Sequence, residues 1–277
     1  MNISVIILTK NEENDLPGCL ASVSWCNDIH VLDSQSTDAT CEIACKAGAT
    51  VTVRPFDGYA SQRNFGFSLP FKNKWVLILD ADERIPSDLM QEIDDFVSTA
   101  SENIAAARMP RHDIWWGRWL KHAQISPLYI RLVRVGKVHY EREINEVLVV
   151  DGDIVDLCEH FDHYPFSKGI NHWIYKHNIY STMEAELVVS KSIICPSLMK
   201  ALFDSDFNVR RVHQKAFFYK LPARPIVKFI YMVFVRMSFL DGVPGIRYAI
   251  IQSIYEYFIV LKTKELYSEE NGVVNNQ

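Results

Sequence analysis

Two carboxylates one residue apart, Asp80 and Asp82, are the groups in this chain best suited to bind a cation. They directly follow the apolar run at residues 75–79, which predicts a buried strand. In an open α/β sheet, ligands bind beyond the carboxyl ends of the strands. Two neighbouring carboxylates repel each other, and Mg²⁺ or Mn²⁺ holding a diphosphate would relieve that repulsion. The alternative is a solvated turn in which one aspartate caps the next helix.

Other polar side chains are predicted to reach the same edge of the sheet. They lie in the strand-end segments Thr9-Lys10-Asn11-Glu12, Asp33-Ser34 and Arg54-Pro55, and in Ser61-Gln62-Arg63-Asn64 at the start of a helix. A nucleoside diphosphate needs acceptors for its base and ribose, cations for its phosphates, and a metal. Asp33 can accept from a base N–H or a ribose hydroxyl, and Arg63 can approach a phosphate. The pattern therefore predicts a nucleotide site.

The order of elements predicts how these groups are positioned. Strands are expected at residues 3–8, 29–32, 50–53, 75–79 and 105–109. Between them, helices are expected over 16–23, over a segment that ends at Gly48 with Ile43, Ala44 and Ala47 inward, over 59–68, and from Pro86 onward. Asp38 is expected to cap the second helix. This alternation predicts an α/β fold with a mostly parallel sheet.

The middle of the chain follows a different pattern. Residues 110–165 predict a loop-rich insertion, with one strand at 129–133 that carries Arg131 and is followed by Arg134. These arginines could hold a diphosphate or an acidic acceptor, or form surface salt bridges. The tryptophans at 115, 116 and 119 could stack on sugar rings or form the core of the insertion. A helix is expected over 168–190.

The C-terminal stretch is apolar but interrupted by charges. Residues 224–240 and 246–261 predict two helices joined by a turn at 241–245, each shorter than the roughly 20 residues that span a bilayer. A basic, aromatic stretch at 210–224 precedes them, and residues 268–277 predict a frayed polar tail. Such helices are typical of a membrane interface. The alternative is a helical pair that packs on the main domain or on a second copy.

Composition narrows the class of protein. The 277 residues are 48% hydrophobic and 23% charged, which is typical of a folded protein. The net charge of -5 disfavours a nucleic-acid partner, which would require a basic surface. Met1-Asn2 leads directly into the first strand without a basic segment, and the six cysteines form no CxxC pair. We therefore expect a cytoplasmic protein without a signal peptide.

At this point the sequence resembles glycosyltransferase family 2, the inverting enzymes with the GT-A fold. The resemblance rests on four segments in order: SVIILTKNE at residues 4–12, LDSQSTD at 32–38, QRNFG at 62–66 and WVLILDADE at 75–83. Two later segments resemble a bacterial subgroup that builds lipopolysaccharide core or related surface glycans. They are Ile144-Asn145-Glu146, similar to that subgroup's Val-His-Glu, and Phe239-Leu240-Asp241-Gly242 with Gly245.

The resemblance implies roles for individual residues. Thr9 and Glu12 would border the nucleotide pocket, Asp33 would bind the base or ribose, and Arg63 would lie near the base or diphosphate. Asp82 would be the principal metal ligand. We place Asp80, near the ribose, together with Ala81 and Arg131 in the same nucleotide-sugar site.

Inversion requires one base that removes the proton of the acceptor hydroxyl. The position that matches the family is Glu146, although Asn145 departs from the family's histidine, and Glu141 and Glu143 are rivals. The family also often carries a histidine before its C-terminal helices. This implies that His163 contacts donor phosphates or acceptor, and we assign it with Asp82 to the metal site.

A zinc site is the alternative for a group of histidines and acids, which are Glu159, His160, Asp162 and His163, with His172 and His177 further along the chain. His160 and His163 could share a helical face, but nothing in the sequence supplies a third ligand, and we expect no zinc there.

Together these observations predict an inverting hexosyltransferase that uses Mn²⁺ or Mg²⁺. It would move a hexose from a UDP-sugar, UDP-glucose as first choice, to a lipopolysaccharide-core or lipid-linked acceptor at the inner membrane surface. The predicted parts are a nucleotide-sugar half at 1–110, an acceptor and catalytic half at 111–200 and membrane-associating helices at 201–277. A sugar nucleotidyltransferase is disfavoured because no glycine-rich loop follows the first strand, and a non-catalytic nucleotide- or glycan-binding protein because both metal carboxylates are present.

Overall fold

The computed structural model describes residues 1–141, 147–190, 195–205 and 207–270. The chain forms two compact units. The first, here called the sheet unit, comprises Met1–Trp119 and Ile125–Ser167, and the second, the helical unit, comprises Leu120–Gln124 and the described part of Lys168–Gln277. The main boundary between the two units follows residue 167. The functional boundaries predicted at residues 110 and 200 stay predictions.

Short strands dominate the sheet unit. The central sheet contains β1 (Ile3–Thr9), β2 (Ile29–Asp33), β3 (Thr50–Val53), β4 (Trp75–Asp80), β6 (Ile104–Met109), β9 (Tyr129–Arg134) and β12 (Asp153–Asp156). The remaining strands are β5 (Glu83–Arg84), β7 (Arg111–Trp115), β8 (Arg118–Trp119), β10 (Val138–Glu141), β11 (Val147–Val150) and β13 (Phe161–His163). The helices of this unit are α1 (Leu16–Ser22), α2 (Thr40–Lys46), α3 (Tyr59–Phe67) and α4 (Ser87–Thr99).

The central sheet has the order β12-β6-β9-β4-β1-β2-β3. Neighbouring strands pair in parallel except where β9 lies antiparallel between β4 and β6. The predicted α/β class with a mostly parallel sheet is therefore confirmed. β4 is apolar at every position from Trp75 to Leu79 because helices or loops cover both of its faces, and all five side chains are buried.

Helix packing follows the predicted faces with one exception. Leu16, Cys19, Leu89 and Ile93 are fully buried in the core, as the helical periodicity predicts. Ala47, which we expected to point inward, is exposed. The expectation was wrong because α2 ends at Lys46, so Ala47 belongs to the turn that leads into Gly48.

The segment at 110–165 is not loop-rich, contrary to the prediction. Its strands add to the central sheet and build two smaller sheets, β10-β11 and β5-β13-β7-β8. The strands were missed because most have two to five residues and carry charges, such as Asp156, whose partner Arg108 lies on a neighbouring strand. The strand expected at 129–133 is present as β9.

The helical unit contains α5 (Gly169–Val189), α6 (Leu198–Phe203), α7 (Phe207–Phe218), α8 (Arg224–Ile230) and α9 (Gly242–Glu270). A π-helical turn at Tyr231–Val235 and a 3₁₀ turn at Ser238–Asp241 join α8 to α9. α9 packs against both α5 and α8. Within the described residues, no helix has the length and hydrophobicity that crossing a bilayer requires.

One C-terminal expectation was wrong. Of the turn predicted at 241–245, residues 242–245 are the start of α9, and Asp241, the last residue of the 3₁₀ turn, accepts hydrogen bonds from the backbone N–H groups of His122 and Ala123. Gly245 is needed there because a Cβ at this position would lie 2.0 Å from the carbonyl oxygen of Ser238. Of the tail predicted to fray at residues 268–277, residues 268–270 are helical, and residues 271–277 lie outside the described residues.

Candidate functional site

The strand register brings the predicted site residues to one edge of the sheet. β1 pairs with β2 so that Thr9 lies opposite Asp33, and β1 pairs with β4 so that Leu8 lies opposite Asp80. Three carboxyl strand ends therefore lie side by side, as the sequence predicted. This arrangement is the one in which open α/β sheets bind ligands.

Asp33 holds the loop that follows β2. Its side chain is 0% exposed, and it accepts hydrogen bonds from the Thr9 hydroxyl at 2.8 Å and from the Ser36 backbone N–H at 2.7 Å. The Ser36 hydroxyl donates a third bond to the same carboxylate. In this structure Asp33 thus organises Thr9 and Ser36, and its contact with a base or ribose stays a prediction.

The loops after β1 and β2 are tied together by further hydrogen bonds. The backbone N–H of Glu12 donates to the Thr40 hydroxyl at 2.7 Å, and that of Glu13 donates to Asp38 at 3.2 Å. Asp38 also accepts from the backbone N–H of Thr40 at 3.1 Å, at the start of α2. The N-cap of α2 is Ala39, which makes no side-chain capping bond, so the expectation that Asp38 is the cap was wrong by one residue. Glu12 is held at the rim of the site.

Asp80 is paired with arginines. Arg131 Nη2 lies 3.0 Å from Asp80 Oδ2, and Arg63 Nη2 lies 3.7 Å from Asp80 Oδ1. Arg131 also bonds to Glu83, whose side chain is buried, and burial raises the pKa of Glu83 to about 7 although Arg131 opposes this shift. Burial lowers the pKa of Arg131, but Glu83 and Asp80 together raise it above its ordinary value, so it stays charged. Two of the three arginines predicted to approach a diphosphate, Arg63 and Arg131, therefore lie at this edge.

Ala81 serves the site through its backbone. Its side chain is buried in the main core, and its carbonyl oxygen accepts from Arg84 Nη1 at 2.7 Å. Arg84 also donates to the carbonyl oxygen of Asp15 at 2.8 Å. These bonds fix the turn that separates Asp80 from Asp82.

Asp82 and His163 come together from distant parts of the sequence. His163 Nε2 lies 3.4 Å from Asp82 Oδ2, and the backbone N–H of Tyr164 donates to the Asp82 carbonyl oxygen at 2.9 Å. On its other side, His163 Nδ1 lies 2.6 Å from Asp113 Oδ1. Burial lowers the pKa of His163, but hydrogen bonds to Asp113 and Asp82 raise it to about 9. A carboxylate and an imidazole this close fit two ligands of one Mn²⁺ or Mg²⁺ ion.

The hairpin β10–β11 is attached to the same edge through α3. The Asn64 amide donates to the Tyr140 carbonyl oxygen at 2.8 Å, and the Tyr140 backbone N–H donates to Asn64 Oδ1 at 2.7 Å. The Arg63 guanidinium lies over the Tyr140 ring, 5.4 Å from its centre. Glu141 follows Tyr140 directly and is exposed. Glu143 and Glu146 lie outside the described residues, so the choice of base stays a prediction.

The structure also gives the positions of Arg134 and of two of the tryptophans that were candidates for binding phosphate or sugar. Arg134 lies at the amino end of β4, where it stacks on Trp75 and donates to the carbonyl oxygens of Ile104 and Ser101, so it is remote from Asp80. Trp115 is buried between Trp116 and Phe166, whereas Trp116 is exposed.

One premise of the zinc alternative is contradicted. His160 precedes β13 and His163 ends it, so they do not share a helical face. Ligand atoms of His112, His160 and Asp162 do lie within 4.8 Å of one another. However, the rings of His112 and His160 stack with centroids 3.5 Å apart. The ring of Trp119 also stacks on His112 with centroids 3.5 Å apart, so these side chains pack against one another.

Sequence reasoning missed Asp113 and Glu83. Glu83 was adjacent to the aspartate pair, and its position after a buried strand could have marked it as a buried acid that needs a cation. Asp113 gave no local signal, because only the pairing of β7 with β13 places it opposite His163.

The model of the family described as "Glycosyl transferase family 2" matches residues 4–161. An uncharacterized glycosyltransferase of Rickettsia typhi is 26% identical over 284 residues, which cover 98% of this chain and 90% of that protein. The lipopolysaccharide core biosynthesis glycosyltransferase LpsC of Rhizobium meliloti is 25% identical over 272 residues, covering 94% of this chain and 91% of LpsC.

Two solved structures are also similar to this chain, with lower sequence identity than these relatives. Residues 1–349 of S. aureus TarS align with a TM-score of 0.41 and 14% identity, covering 98% of this chain and 92% of that one. Glucosyl-3-phosphoglycerate synthase from Mycobacterium tuberculosis, in complex with Mn²⁺, UDP-glucose and phosphoglyceric acid, aligns with a TM-score of 0.34 and 24% identity over 39% of this chain and 43% of that chain.

Proposed function

This chain belongs to glycosyl transferase family 2, and from that premise we propose that it transfers a hexose from a UDP-sugar, with inversion, to a lipopolysaccharide-core or lipid-linked glycan acceptor. UDP-glucose is the first choice of donor. The observation that carries the proposal is the meeting of Thr9, Asp80 and Asp82 with two arginines at one sheet edge. The similarity to LpsC supports the class of acceptor.

The donor diphosphate is proposed to lie against Arg63 and Arg131. Both guanidinium groups lie within 4 Å of Asp80, which holds them in place before a ligand arrives. Fixed positive charge that is already oriented stabilises the departing nucleoside diphosphate without a cost for reorganisation. In this arrangement Asp80 orients the arginines and faces the ribose.

Asp82 and His163 are proposed to hold Mn²⁺ or Mg²⁺. The ion, when bound, would act as a Lewis acid that offsets negative charge on the leaving diphosphate. The proposal is supported by the 3.4 Å separation of Asp82 Oδ2 and His163 Nε2 and by the mixed oxygen and nitrogen donors.

The acceptor hydroxyl is proposed to lose its proton to Glu146. Direct attack on the anomeric carbon from the face opposite the leaving group needs one such base and no covalent intermediate. Glu146 precedes Val147, which pairs with Glu141 across the β10–β11 hairpin, and Asn64 ties that hairpin to α3. The replacement Glu146→Gln should retain donor binding and abolish transfer. If Glu146→Gln turns over normally while Glu141→Gln or Glu143→Gln does not, the base is reassigned.

We further propose that the helical unit binds the inner membrane surface from the cytoplasmic side. Large apolar side chains along α8, the turns after it and the start of α9 are exposed, namely Ile226, Ile230, Phe234, Val235, Phe239, Leu240 and Val243. The preceding α7 exposes Arg211 and Lys215. An exposed apolar surface next to basic side chains is the pattern that binds anionic lipid.

A cavity in the same unit supports an acceptor with a lipid part. It has a volume of about 640 Å³ and is lined mainly by apolar groups, among them Leu221, Pro225, Ile226 and Tyr257. Such a volume fits part of an acyl chain.

A thermal-shift screen of nucleotide sugars, each with and without Mn²⁺, tests the proposed donor. A ligand present at 100 times its Kd stabilises the native state by about 2.7 kcal/mol. We expect a UDP-hexose with Mn²⁺ to give the largest shift in melting temperature. The same UDP-hexose should then act as the donor for sugar transfer to lipopolysaccharide-core acceptors. Equal shifts for ADP-, GDP- and UDP-sugars would contradict the UDP assignment.

A further inference from the structure

His163 lies on β13, an inner strand of the four-stranded sheet β5-β13-β7-β8. The pairing of β13 with its two neighbours determines which residues lie beside His163. β13 pairs in parallel with β7, so that His163 lies opposite Asp113, and antiparallel with β5, so that His163 also lies opposite Glu83. Side chains alternate between the faces of a sheet. His163 and Asp113 consequently share one face, whereas Asp162 and His112 share the other.

Both ring nitrogens of His163 have carboxylate neighbours. Asp113 Oδ1 lies 2.6 Å from Nδ1, and Asp82 Oδ2 lies 3.4 Å from Nε2. The first distance is that of a short hydrogen bond and the second that of a long, weaker one. The ring is thus held firmly from the Asp113 side and presents Nε2 towards Asp82.

Asp113 is itself fixed in place. Its side chain is 0% exposed, Arg111 Nε lies 3.1 Å from Oδ1, and the Ser126 hydroxyl lies 3.4 Å from Oδ2. The Arg111 guanidinium in turn lies over the ring of Tyr129, 4.4 Å from its centre. A carboxylate clamped in this way keeps the imidazole from rotating.

We propose that Asp113 is a positioning residue that holds the proton of His163 on Nδ1 and directs Nε2 at the cation site beside Asp82. The inference rests on the proposed cation at Asp82 and His163. Metal-binding histidines generally donate their second ring N–H to a carboxylate or carbonyl, which fixes the tautomer and raises the basicity of the ligand nitrogen. Asp113 supplies that carboxylate.

The test is the affinity of the full-length protein for Mn²⁺ in the presence of UDP, followed through the electron paramagnetic resonance signal of free Mn²⁺. Asp113→Asn should weaken Mn²⁺ binding by about 10- to 100-fold, because an amide can donate to Nδ1 and move the proton to Nε2. The matched control is Asp162→Asn, which alters the same residue type on β13 but on the opposite face. Asp162→Asn should leave Mn²⁺ affinity unchanged. Equal losses in both variants would overturn the proposal.

A second variant separates positioning from simple support of the fold. Arg111→Gln removes the ion pair of Asp113 but keeps the bond between Asp113 and His163, so Mn²⁺ affinity should fall less than in Asp113→Asn. A loss as large as that of Asp113→Asn, with an equal fall in the free energy of unfolding in both variants, would mean that Asp113 acts only through stability. The ¹⁵N signals of the His163 ring in the Mg²⁺–UDP complex give a further readout, with Nδ1 protonated in the wild type and Nε2 protonated in Asp113→Asn. An unchanged tautomer in the variant would contradict the inference.

Failure of the cation site itself would look different. If wild-type protein and His163→Ala bind Mn²⁺ and UDP equally, the metal assignment is wrong. If His163→Ala loses Mn²⁺ and Asp113→Asn retains it, the metal assignment stands and only the role of Asp113 is overturned.

Discussion

The sheet unit and the helical unit both bury ion pairs, but they differ in how many large apolar side chains lie exposed along one segment. In the sheet unit, carboxylates such as Asp33, Glu83 and Asp113 are buried with specific partners, and apolar side chains fill the core. In the helical unit, most of the large side chains along α8 and the turns after it are apolar and exposed. Burial of a charge is costly unless partners or a ligand offset it, and exposure of apolar surface is unfavourable unless a partner covers it. The two units are therefore suited to different tasks, chemistry in one and attachment in the other.

The largest effect that would test this comparison is on activity. Asp82→Ala should lower sugar transfer by roughly 10³-fold or more, because Lewis-acid stabilisation of the leaving group is worth several kcal/mol. The measurement is kcat/KM at saturating Mn²⁺. Asp156→Ala, which removes an exposed ion pair with Arg108 in the same sheet, is the control and should keep activity. Normal transfer by Asp82→Ala would place the chemistry elsewhere.

The second effect compares one buried ion pair in each unit. Arg131 pairs with Glu83 in the sheet unit, and Arg224 pairs with Glu256 at 3.3 Å in the helical unit. Removing the cation leaves a buried carboxylate unpaired, so Arg131→Met and Arg224→Met should each lower the free energy of unfolding by about 3–5 kcal/mol.

Donor binding should separate these two variants. Arg131→Met should also weaken UDP-sugar binding, measured by calorimetry below the unfolding transition, whereas Arg224→Met should not. If Arg224→Met impairs donor binding as strongly, the division of tasks between the units is wrong.

A smaller effect is expected at the membrane. Phe234→Ser combined with Val235→Ser should weaken binding to vesicles that contain anionic lipid by about 10-fold or more, since two apolar side chains lose their burial. Trp116→Ser, which removes an exposed aromatic side chain from the sheet unit, serves as the control. Co-sedimentation with vesicles measures both. If the double variant binds vesicles as tightly as the wild type does, the exposed apolar surface does not bind the membrane and serves another partner.

The smallest effect concerns pH. The pKa of Glu83 is raised by burial from its ordinary value of 4.5 to about 7 in the folded state. The folded protein therefore keeps a proton that the unfolded chain has released, so this group favours folding below pH 4.5 and that contribution is lost as the pH rises to about 7. Relative to Glu83→Gln, the wild-type free energy of unfolding should fall by at most about 1.4 kcal/mol per pH unit in this window. Denaturant titrations between pH 5 and 8 measure the difference, and parallel curves would contradict it.

Local sequence patterns were sufficient for the first half of the fold. The run at 75–79 is uniformly apolar and could be interpreted as a buried strand, and Gly48 marks the turn after α2 with a φ of 81°. Patterns failed for β5, β7 and β8, which have five residues or fewer. They also failed at α9, whose start at Gly242 is supported by hydrogen bonds between Asp241 and the segment at 120–124.

For the candidate site, the sequence by itself determined which groups are available and that several of them follow strands. Thr9, Asp33, Asp80 and Asp82 could be grouped in advance because parallel strands end at a common edge. Only the tertiary structure decided that Arg131 pairs with Asp80, that Asp33 is enclosed by Thr9 and Ser36, and that Asp113 holds His163 beside Asp82. The physical reason is that strand ends obey a local rule, whereas these partners lie up to 81 residues apart in sequence, as His163 and Asp82 do, and meet only through the register of the packed sheets.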